Sequence, residues 1–408
     1  MHRTAQQALW ERIQQLLQRE GIDAWLLYDF RGANRFAMQL LGLPTTFYAT
    51  RRWVVLIPAR GTPQKAVHAI ESHVLRDVEA EERLYKTYQD WQGILAEWCR
   101  QYPRLAVEYS PYGELPVVSV LDAGTAELLR RFGAELVSSA DLLQELVAVY
   151  SPEELEQQAR TAQLLYEIVR DAFVWVRDHL QQGVHPQEYA VQRWLLEQLT
   201  ARGLQTDHPP IVARTERAAN PHYSPTASDT APIRVGDLLL IDLWARPSHP
   251  SALYADITWM AYAGAEVPER FVEAFAVLAQ ARDSAIELIR NAVEHERPLA
   301  GYEVDRHVRS ILSAAGYGDN FLHRTGHSLG MEVHGPGANL DDYETRDTRR
   351  LLCGSIVTVE PGIYCPGEFG MRTEVNVQLR QGGQVFVCPQ PIQQAIVPLL
   401  SPHWARLP

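Results

Sequence analysis

The sequence has few cysteines, no block of basic residues and no long apolar run. Its four cysteines are widely scattered and form no Cys-x-x-Cys pair, which argues against a zinc knuckle and favours reduced, buried thiols. A net charge of −12 without a Lys/Arg-rich block argues against a nucleic-acid surface. No stretch is apolar for long enough to span a bilayer, and charges interrupt the N-terminus where a signal peptide needs its apolar core. We therefore expect a cytoplasmic protein with no nucleic-acid or membrane partner.

The length and the order of the elements predict two domains. A chain of 408 residues is too long for one ordinary core. In residues 1–150, short apolar strands alternate with helices, a pattern typical of a small α/β domain. Ser151 is followed by Pro152 and, three positions on, by Glu154, which predicts a capped start of a long helix. We therefore place the domains at residues 1–150 and 151–408.

The second domain repeats one order of elements. Residues 151–263 predict a long helix, a shorter helix, a loop and strands, and residues 268–380 predict the same order again. The similarity is one of element order and not of obvious sequence. It predicts an α+β domain made of two similar halves that face each other across a cleft.

Four carboxylates lie on or beside predicted apolar strands of this domain. An isolated ionised carboxylate in a buried strand costs several kcal/mol, so each one requires a partner. Taken singly, each is better explained as a paired core residue, a turn residue or a water-facing strand residue. The four are Asp242, Asp256, Glu360 before a Pro-Gly turn, and Glu374 within a predicted strand over residues 370–377.

Histidines are concentrated in two predicted loops of the same domain. A loop histidine is most often simply exposed, but three histidines and two glycines within twelve residues are hard to explain by packing. Glycine also lets the backbone approach another group closely. The histidines are His208 and His222 in the first loop, and His323, His327 and His334 in the second.

Gathered in one cleft, the four carboxylates would repel one another strongly without cations. Their charge equals that of two divalent ions, and this balance predicts a dinuclear metal site that also includes His327. A carboxylate-rich set suits Mn²⁺, Co²⁺ or Zn²⁺. Two such ions about 3.5–4 Å apart activate a water and stabilise a tetrahedral intermediate, which is the chemistry of amide hydrolysis.

The order of these residues resembles that of the pita-bread metallopeptidases, most closely the Xaa-Pro aminopeptidases and the Xaa-Pro dipeptidases (prolidases). The resemblance covers the whole second domain and extends weakly over the first, which it identifies as a creatinase/prolidase-type domain. The motifs are Ile-Asp-Leu-Trp at Asp242, Ala-Asp-Ile-Thr at Asp256, Gly-His-Ser-Leu-Gly at His327, Val-Glu-Pro-Gly at Glu360 and Arg-Thr-Glu at Glu374.

The resemblance implies a metal role for each of the five residues. Asp256 and Glu374 would bridge two metal ions, expected to be Mn²⁺ with Co²⁺ and Zn²⁺ as alternatives. Asp242 would hold one ion, and His327 and Glu360 would each complete one. Glu360 would also help to move the proton of the attacking water. The substrates would be small peptides with proline in second position, and the protein would be a homodimer.

The resemblance also implies residues that contact the substrate. His222 would lie near the scissile carbonyl, and His334 would steady the tetrahedral intermediate. His323 and Arg372 would line the pocket for proline. His208 stands where many relatives have a tyrosine of the proton relay, and a histidine can shuttle protons near neutral pH.

Two further departures from the family pattern concern the metal ligands. The two aspartates at positions 242 and 256 are farther apart than is usual, with an insertion over residues 246–250. Relatives commonly have an aspartate after the last glutamate, where this chain has Val375, so the support of Glu374 is expected to differ.

Other functions on the same fold agree less well with these residues. Creatinase hydrolyses without metal but lacks the ligand set that is intact here, and methionine aminopeptidases usually lack a large N-terminal domain. Non-catalytic peptide-binding relatives have lost ligands. The leading hypothesis is therefore an Xaa-Pro peptidase, acting as a dipeptidase or as an aminopeptidase.

Overall fold

The computed structural model describes residues 3–44 and 46–402. The chain divides into two compact units, the first ending at Val147 and the second beginning at Ala148. The boundary placed from the sequence, before Ser151, lies in the same short connection between two helices.

The first unit is a mixed sheet of six strands with helices on both faces. Its strands are β1 (Ala24–Asp29), β2 (Trp53–Pro58), β3 (Gln64–His68), β4 (Glu81–Tyr85), β5 (Arg104–Val107) and β6 (Glu135–Ser138). Its helices are α1 (Arg3–Arg19), α2 (Arg35–Leu40), α3 (Tyr88–Gln101), α4 (Ala123–Arg131) and α5 (Ala140–Val147). The strand order is β4-β3-β2-β1-β5-β6, in which β1 is antiparallel to β2 and parallel to β5.

Strand β1 shows why helices cover both faces of this sheet. All of its side chains are buried. Trp25 and Leu27 share a core with α1, α2 and α5, whereas Leu26 and Tyr28 share a core with α3 and α4. Because successive side chains of a strand point to opposite faces, a fully apolar strand needs cover on each side. The predicted α/β domain has this three-layer form.

The second unit carries two pairs of helices and several small sheets. The helices are α6 (Pro152–Gln181), α7 (Glu188–Ala201), α8 (Glu269–Glu294) and α9 (Gly301–Ala314). The strands are β7 (Leu204–Gln205), β8 (Ile211–Arg214), β9 (Leu238–Pro247), β10 (Ala255–Tyr262), β11 (Ile356–Val359), β12 (Gly362–Cys365), β13 (Phe369–Arg372), β14 (Val375–Arg380), β15 (Gln384–Cys388) and β16 (Val397–Pro398). Both halves therefore have the predicted order of long helix, shorter helix and strands. Within the described residues, no helix combines the length and the apolar character needed to cross a membrane.

Strand β9 contributes side chains to both cores of the second unit. Leu239 and Ile241 share a core with α6 and α7, whereas Leu238 and Leu240 share the core of α8 and α9. Asp242 follows two residues after Leu240 and therefore points to the face of the second core. This alternation directs a carboxylate toward the strands of the other half.

The prediction of a single strand over residues 370–377 is wrong, because two strands occupy this range. Strand β13 pairs with β12 in a two-stranded sheet, and β14 pairs with β11 and β15 in another. Glu374 lies in the break between them. The chain leaves one sheet for the other at this point, which a run of β-prone residues does not reveal.

The four cysteines form no disulfide, and the expectation that their thiols are buried is confirmed for two of them. Cys99 and Cys388 are buried, whereas Cys353 is exposed and Cys365 is partly exposed.

A buried glutamate connects several elements of the first unit. Glu108, directly after β5, is 1% exposed. It accepts hydrogen bonds from Trp25 Nε1 (2.7 Å), Asn34 Nδ2 (2.5 Å) and Ser139 Oγ (3.1 Å). Burial raises the pKa of Glu108 to about 7, although the three hydrogen bonds act in the opposite direction.

The Glu108→Gln variant tests this burial through the pH dependence of stability. A carboxyl group whose pKa is raised by folding stabilises the folded state below its unfolded pKa, and this contribution is lost as the pH rises through about 7. Between about pH 5 and about pH 8, the wild type should therefore lose on the order of 2–3 kcal/mol relative to the variant. Urea unfolding at both pH values measures the difference. Exposed Glu114→Gln is the control, and a Glu108→Gln difference that does not change with pH would contradict the prediction.

Candidate metal centre

The hairpin of β9 and β10 places both aspartates on one face. Asp242 pairs across the hairpin with Thr258, and Asp256 pairs with Trp244. The two aspartates are thus diagonal neighbours on the same face of the sheet. Both are buried, being 6% and 5% exposed. The register of the hairpin is continuous, so the loop over residues 248–254 accommodates the long spacing between the aspartates.

The segment around His327 lies beside β11. The N–H of His327 donates to Thr358 Oγ1 (2.9 Å), and the N–H of Thr358 donates to the carbonyl oxygen of His327 (2.8 Å). Gly326 makes this approach possible, because a Cβ atom there would lie 2.0 Å from the carbonyl oxygen of Thr358. The backbone of β11 therefore fixes the position of His327.

The imidazole of His327 is oriented toward two carboxylates. Its Nδ1 lies 3.1 Å from the carbonyl oxygen of Ser328, which favours a proton on Nδ1 and leaves the lone pair on Nε2. Nε2 lies 3.6 Å from Asp256 Oδ2 and 3.4 Å from Glu360 Oε1. This is the orientation of a neutral histidine that can serve as a metal ligand.

Two threonine hydroxyls orient the two glutamates. Thr258 Oγ1 donates to Glu374 Oε2 (2.8 Å), and Thr358 Oγ1 donates to Glu360 Oε1 (2.9 Å). Val375, the position at which altered support of Glu374 was expected, is buried in the core. Thr258, on the neighbouring strand, supports Glu374 directly. Neither threonine was predicted as a site residue.

The carboxylates of Asp242, Asp256, Glu360 and Glu374, here called the acidic cluster, have the properties of a cation site. Asp256, His327 and Glu374 offer ligand atoms that all lie within 4.8 Å of one another. Three buried carboxylate oxygens of the cluster accept no hydrogen bond from the described residues, and an unsatisfied buried acceptor costs about 1–3 kcal/mol. The donor set of carboxylates and one imidazole therefore fits divalent cations. The three oxygens are Asp242 Oδ1, Asp256 Oδ1 and Glu374 Oε1.

The electrostatics of the cluster agree with this fit. Burial is the largest cause that raises the pKa values of Asp256, Glu360 and Glu374, and the charges of neighbouring carboxylates raise them further. Burial lowers the pKa of His327, partly opposed by Glu360. A bound divalent ion would reverse this balance by favouring the ionised carboxylates.

Arg372 contacts the acidic cluster itself. It forms an ion pair with Asp242, and its Nε donates to Thr258 Oγ1 (3.1 Å). Its Nη1 donates to the hydroxyl of Tyr364 (2.7 Å), which also lies 2.7 Å from His323 Nε2. Arg372 and His323 are thus joined through Tyr364. Sequence reasoning missed Tyr364 because a tyrosine in a strand is an ordinary core residue.

Burial and the charge of Arg372 also determine the protonation of His323 and Tyr364. Burial, followed by the positive charge of Arg372, lowers the pKa of His323 to about 3. Burial raises the pKa of Tyr364 to about 12, and Arg372 opposes that rise. At neutral pH the imidazole of His323 and the hydroxyl of Tyr364 are therefore both uncharged.

A buried carboxylate holds the loop that carries His222. Glu188, in the first turn of α7, accepts hydrogen bonds from the N–H of Arg214 (2.9 Å), the hydroxyl of Tyr223 (2.7 Å) and the N–H of Ala231 (3.0 Å). Tyr223 is adjacent to His222 in the chain. His222 itself is exposed, within the loop between the anchored residues Arg214 and Ala231.

His334 and His208 differ in their surroundings. The ring of His334 is exposed and lies edge-on to the ring of His327, with centroids 4.5 Å apart. The charge of His327, followed by burial, lowers the pKa of His334 to about 3. His208 is exposed, and its carbonyl oxygen accepts a hydrogen bond from Thr206 Oγ1 (2.9 Å).

A row of buried amides holds the main chain of Asp256. Asn376 Oδ1 accepts from the N–H of Asp256 (3.2 Å), and Asn376 Nδ2 donates to the carbonyl oxygen of Asp256. Gln158 Nε2 on α6 donates to Asn376 Oδ1 (2.5 Å), and Gln378 Nε2 donates to Gln158 Oε1 (2.6 Å). The row ties β10 to α6 and β14 behind the cluster.

Comparison with known proteins identifies the family. The model of metallopeptidase family M24 matches residues 160–381, which is more than half of the 408 residues. The chain belongs to this family. The predicted resemblance to the pita-bread metallopeptidases is thereby confirmed.

Three proteins show how far the similarity of this chain extends. The peptidase YqhT of Bacillus subtilis is 32% identical over 267 residues, which is 65% of this chain and 69% of that protein. The Xaa-Pro dipeptidase of Pyrococcus furiosus is 30% identical over 245 residues, 60% of this chain and 64% of that protein. The crystal structure of dipeptidase PepE from Mycobacterium ulcerans has a TM-score of 0.70 at 22% identity and covers 98% of this chain and 100% of its own. The last similarity shows that the fold is shared.

The Asn376→Ala variant tests the support of Asp256. It removes both hydrogen bonds to the Asp256 main chain without changing a charge, and loss of such support typically weakens metal binding by about 10- to 100-fold. Calorimetric titration of metal-free protein with Mn²⁺ measures the affinity. Gln384→Ala, at an exposed position of the same sheet, is the matched control and should bind like the wild type. An unchanged Kd for Asn376→Ala would show that the amide does not position the ligand.

Proposed function

We propose that this protein is a dinuclear metal-dependent peptidase that cleaves the bond before proline in small peptides. The observation that carries the proposal is the buried cluster of Asp256, His327 and Glu374, with carboxylate oxygens that no described group satisfies. Membership of a metallopeptidase family supports the reaction class. The similarity to an Xaa-Pro dipeptidase supports the substrate class, with proline in second position.

Five side chains would hold the two metal ions, for which Mn²⁺ is the first candidate and Co²⁺ and Zn²⁺ are alternatives. Arg372 pairs with Asp242 and leaves a charge of −3 on the four carboxylates, so the balance with two divalent ions expected from the sequence does not hold by itself. The three charges still exceed those of one divalent ion. When bound, the ions supply a water that is nucleophilic near neutral pH and stabilise negative charge on the substrate oxygen. The ligands would be Asp242, Asp256, His327, Glu360 and Glu374.

Glu360 is the carboxylate best placed to handle the proton of the attacking water. Its side chain is 15% exposed, compared with 9% for Asp242 and 8% for Asp256. Thr358 occupies its Oε1, so Oε2 remains available to accept a proton. A general base must be reachable by the substrate and the water, and Glu360 meets that condition.

The imidazoles of His222, His323 and His334 would contact the peptide. His323 is uncharged at neutral pH, and its ring nitrogens are engaged by the carbonyl oxygen of Arg324 and the hydroxyl of Tyr364, so it would contact the peptide through its ring. Tyr364 fixes Nε2 of His323, and Arg372 fixes Tyr364 in turn. This chain of contacts would hold the proline side of the pocket in a defined geometry, with Arg372 linking it to Asp242. We retain His208 as a candidate for the proton relay.

We also propose a cytoplasmic location, as expected from the sequence, and a homodimer, as the family resemblance implies. The proposal also includes action on dipeptides or on the N-terminus of longer peptides. A comparison of Ala-Pro with Ala-Pro-Ala distinguishes these two activities, because a strict dipeptidase releases alanine from the dipeptide alone.

The central test is peptide hydrolysis by protein loaded with Mn²⁺ or Co²⁺. Alanine release from Ala-Pro or Ala-Pro-Ala is expected, and Asp256→Asn should lower kcat/KM by roughly a thousandfold or more because it removes a bridging charge. Asp319→Asn, at an exposed position of the same unit, is the control and should retain activity.

Two outcomes would contradict the proposal in different ways. No turnover with either metal, alongside stoichiometric peptide binding, would make the protein a peptide-binding relative. Full activity of Asp256→Asn would show that the site is assigned to the wrong residues.

A further inference from the structure

The first unit contains a cavity of about 630 Å³ that the proposed peptidase reaction does not use. Residues at the carboxyl ends of β1, β3 and β4 line it, together with the first turns of α3 and α4. In open α/β sheets, small molecules bind in the crevice outside the carboxyl ends of the strands. The position of this cavity therefore agrees with a ligand site.

Arg51, Arg52 and Lys86 line the cavity, and only Arg51 forms an ion pair among the described residues. Arg51 lies 3.8 Å from Glu71, which balances its charge. Arg52 and Lys86 form no ion pair with a carboxylate of the described residues. The guanidinium carbon of Arg52 lies 5.0 Å from the centroid of the Trp91 ring, and this stacking holds it in place. Two positive charges therefore remain available to a ligand.

Asp122 is the acidic residue of the lining, and its charge offsets one of these two positive charges. Asp122 accepts hydrogen bonds from the N–H of Thr125 (2.8 Å) and from Thr125 Oγ1 (2.7 Å). Both of its oxygens are thus engaged in capping α4. Among Arg52, Lys86 and Asp122, the lining therefore keeps a net charge of +1 toward an anion.

Aromatic side chains form the rim of the same cavity. Phe30 and Tyr88 are 43% and 63% exposed, and the guanidinium of Arg31 lies over one face of the Phe30 ring, 5.2 Å from its centroid. The ring of Tyr88 is therefore the more open of the two. Tyr28 and Tyr85 line the interior. Such faces stack favourably on a planar ring.

We propose that this cavity binds a small organic phosphate that carries a flat ring, such as a nucleoside monophosphate. The phosphate would lie between Arg52 and Lys86, and the ring would pack against Phe30 and Tyr88. The site lies entirely within the first unit and does not depend on the metal centre.

Calorimetric titration of the full chain with adenosine monophosphate, inorganic phosphate and adenosine tests the proposal. Adenosine monophosphate is expected to bind at one site per chain and at least about tenfold more tightly than either fragment, because each fragment makes only one of the two kinds of contact. Arg52→Gln and, independently, Lys86→Gln should each weaken this binding by about tenfold. Arg76→Gln, an exposed arginine of the same unit outside the cavity, is the control and should bind like the wild type.

Lys86 is exposed, so Lys86→Gln keeps the test informative even if Arg52→Gln disturbs folding. Absence of binding at millimolar nucleotide would overturn the proposal, as would unchanged binding by a folded Arg52→Gln and by Lys86→Gln. Inorganic phosphate that binds as tightly as the nucleotide would overturn the assignment of the aromatic rim.

Discussion

Repulsion among buried carboxylates is the constraint on which the second unit depends. Two like charges 4 Å apart interact with about 4 kcal/mol at an effective dielectric constant of 20. Asp242, Asp256 and Glu374 are buried, Glu360 is partly exposed beside them, and Arg372 forms its ion pair with only Asp242. The guanidinium therefore offsets a fraction of the repulsion, and the unsatisfied oxygens remain. Bound divalent cations would offset the remaining repulsion and would also coordinate the unsatisfied oxygens.

The surrounding structure serves to hold this unfavourable arrangement in place. The hairpin register brings the two aspartates together on one face, and β11 fixes the backbone of His327. Hydroxyl groups of Thr258 and Thr358 each orient a glutamate, while Asn376 holds the main chain of Asp256. Each support is a neutral donor or amide, so it orients a carboxylate without adding charge.

Sequence patterns predicted the parts of this arrangement that are local. Asp242 and Asp256 stand out because a carboxylate in an apolar strand requires an explanation, and the long helices are marked by their caps and periodicity. Contacts between distant segments leave no such trace. Tyr364 and Asn376 look like ordinary strand residues until the fold brings them to His323 and Asp256. The break at Glu374 was missed for the same reason, because a change of sheet depends on the partners of β13 and β14.

The most direct test of the account is an anomalous diffraction experiment on crystals grown with Mn²⁺. We expect two anomalous peaks about 3.5–4 Å apart beside the carboxylates of Asp256 and Glu374. We also expect His327 Nε2 to contact one of the ions. A cluster that binds no metal at saturating Mn²⁺, or an ion bound elsewhere while these carboxylates pair with one another, would contradict it.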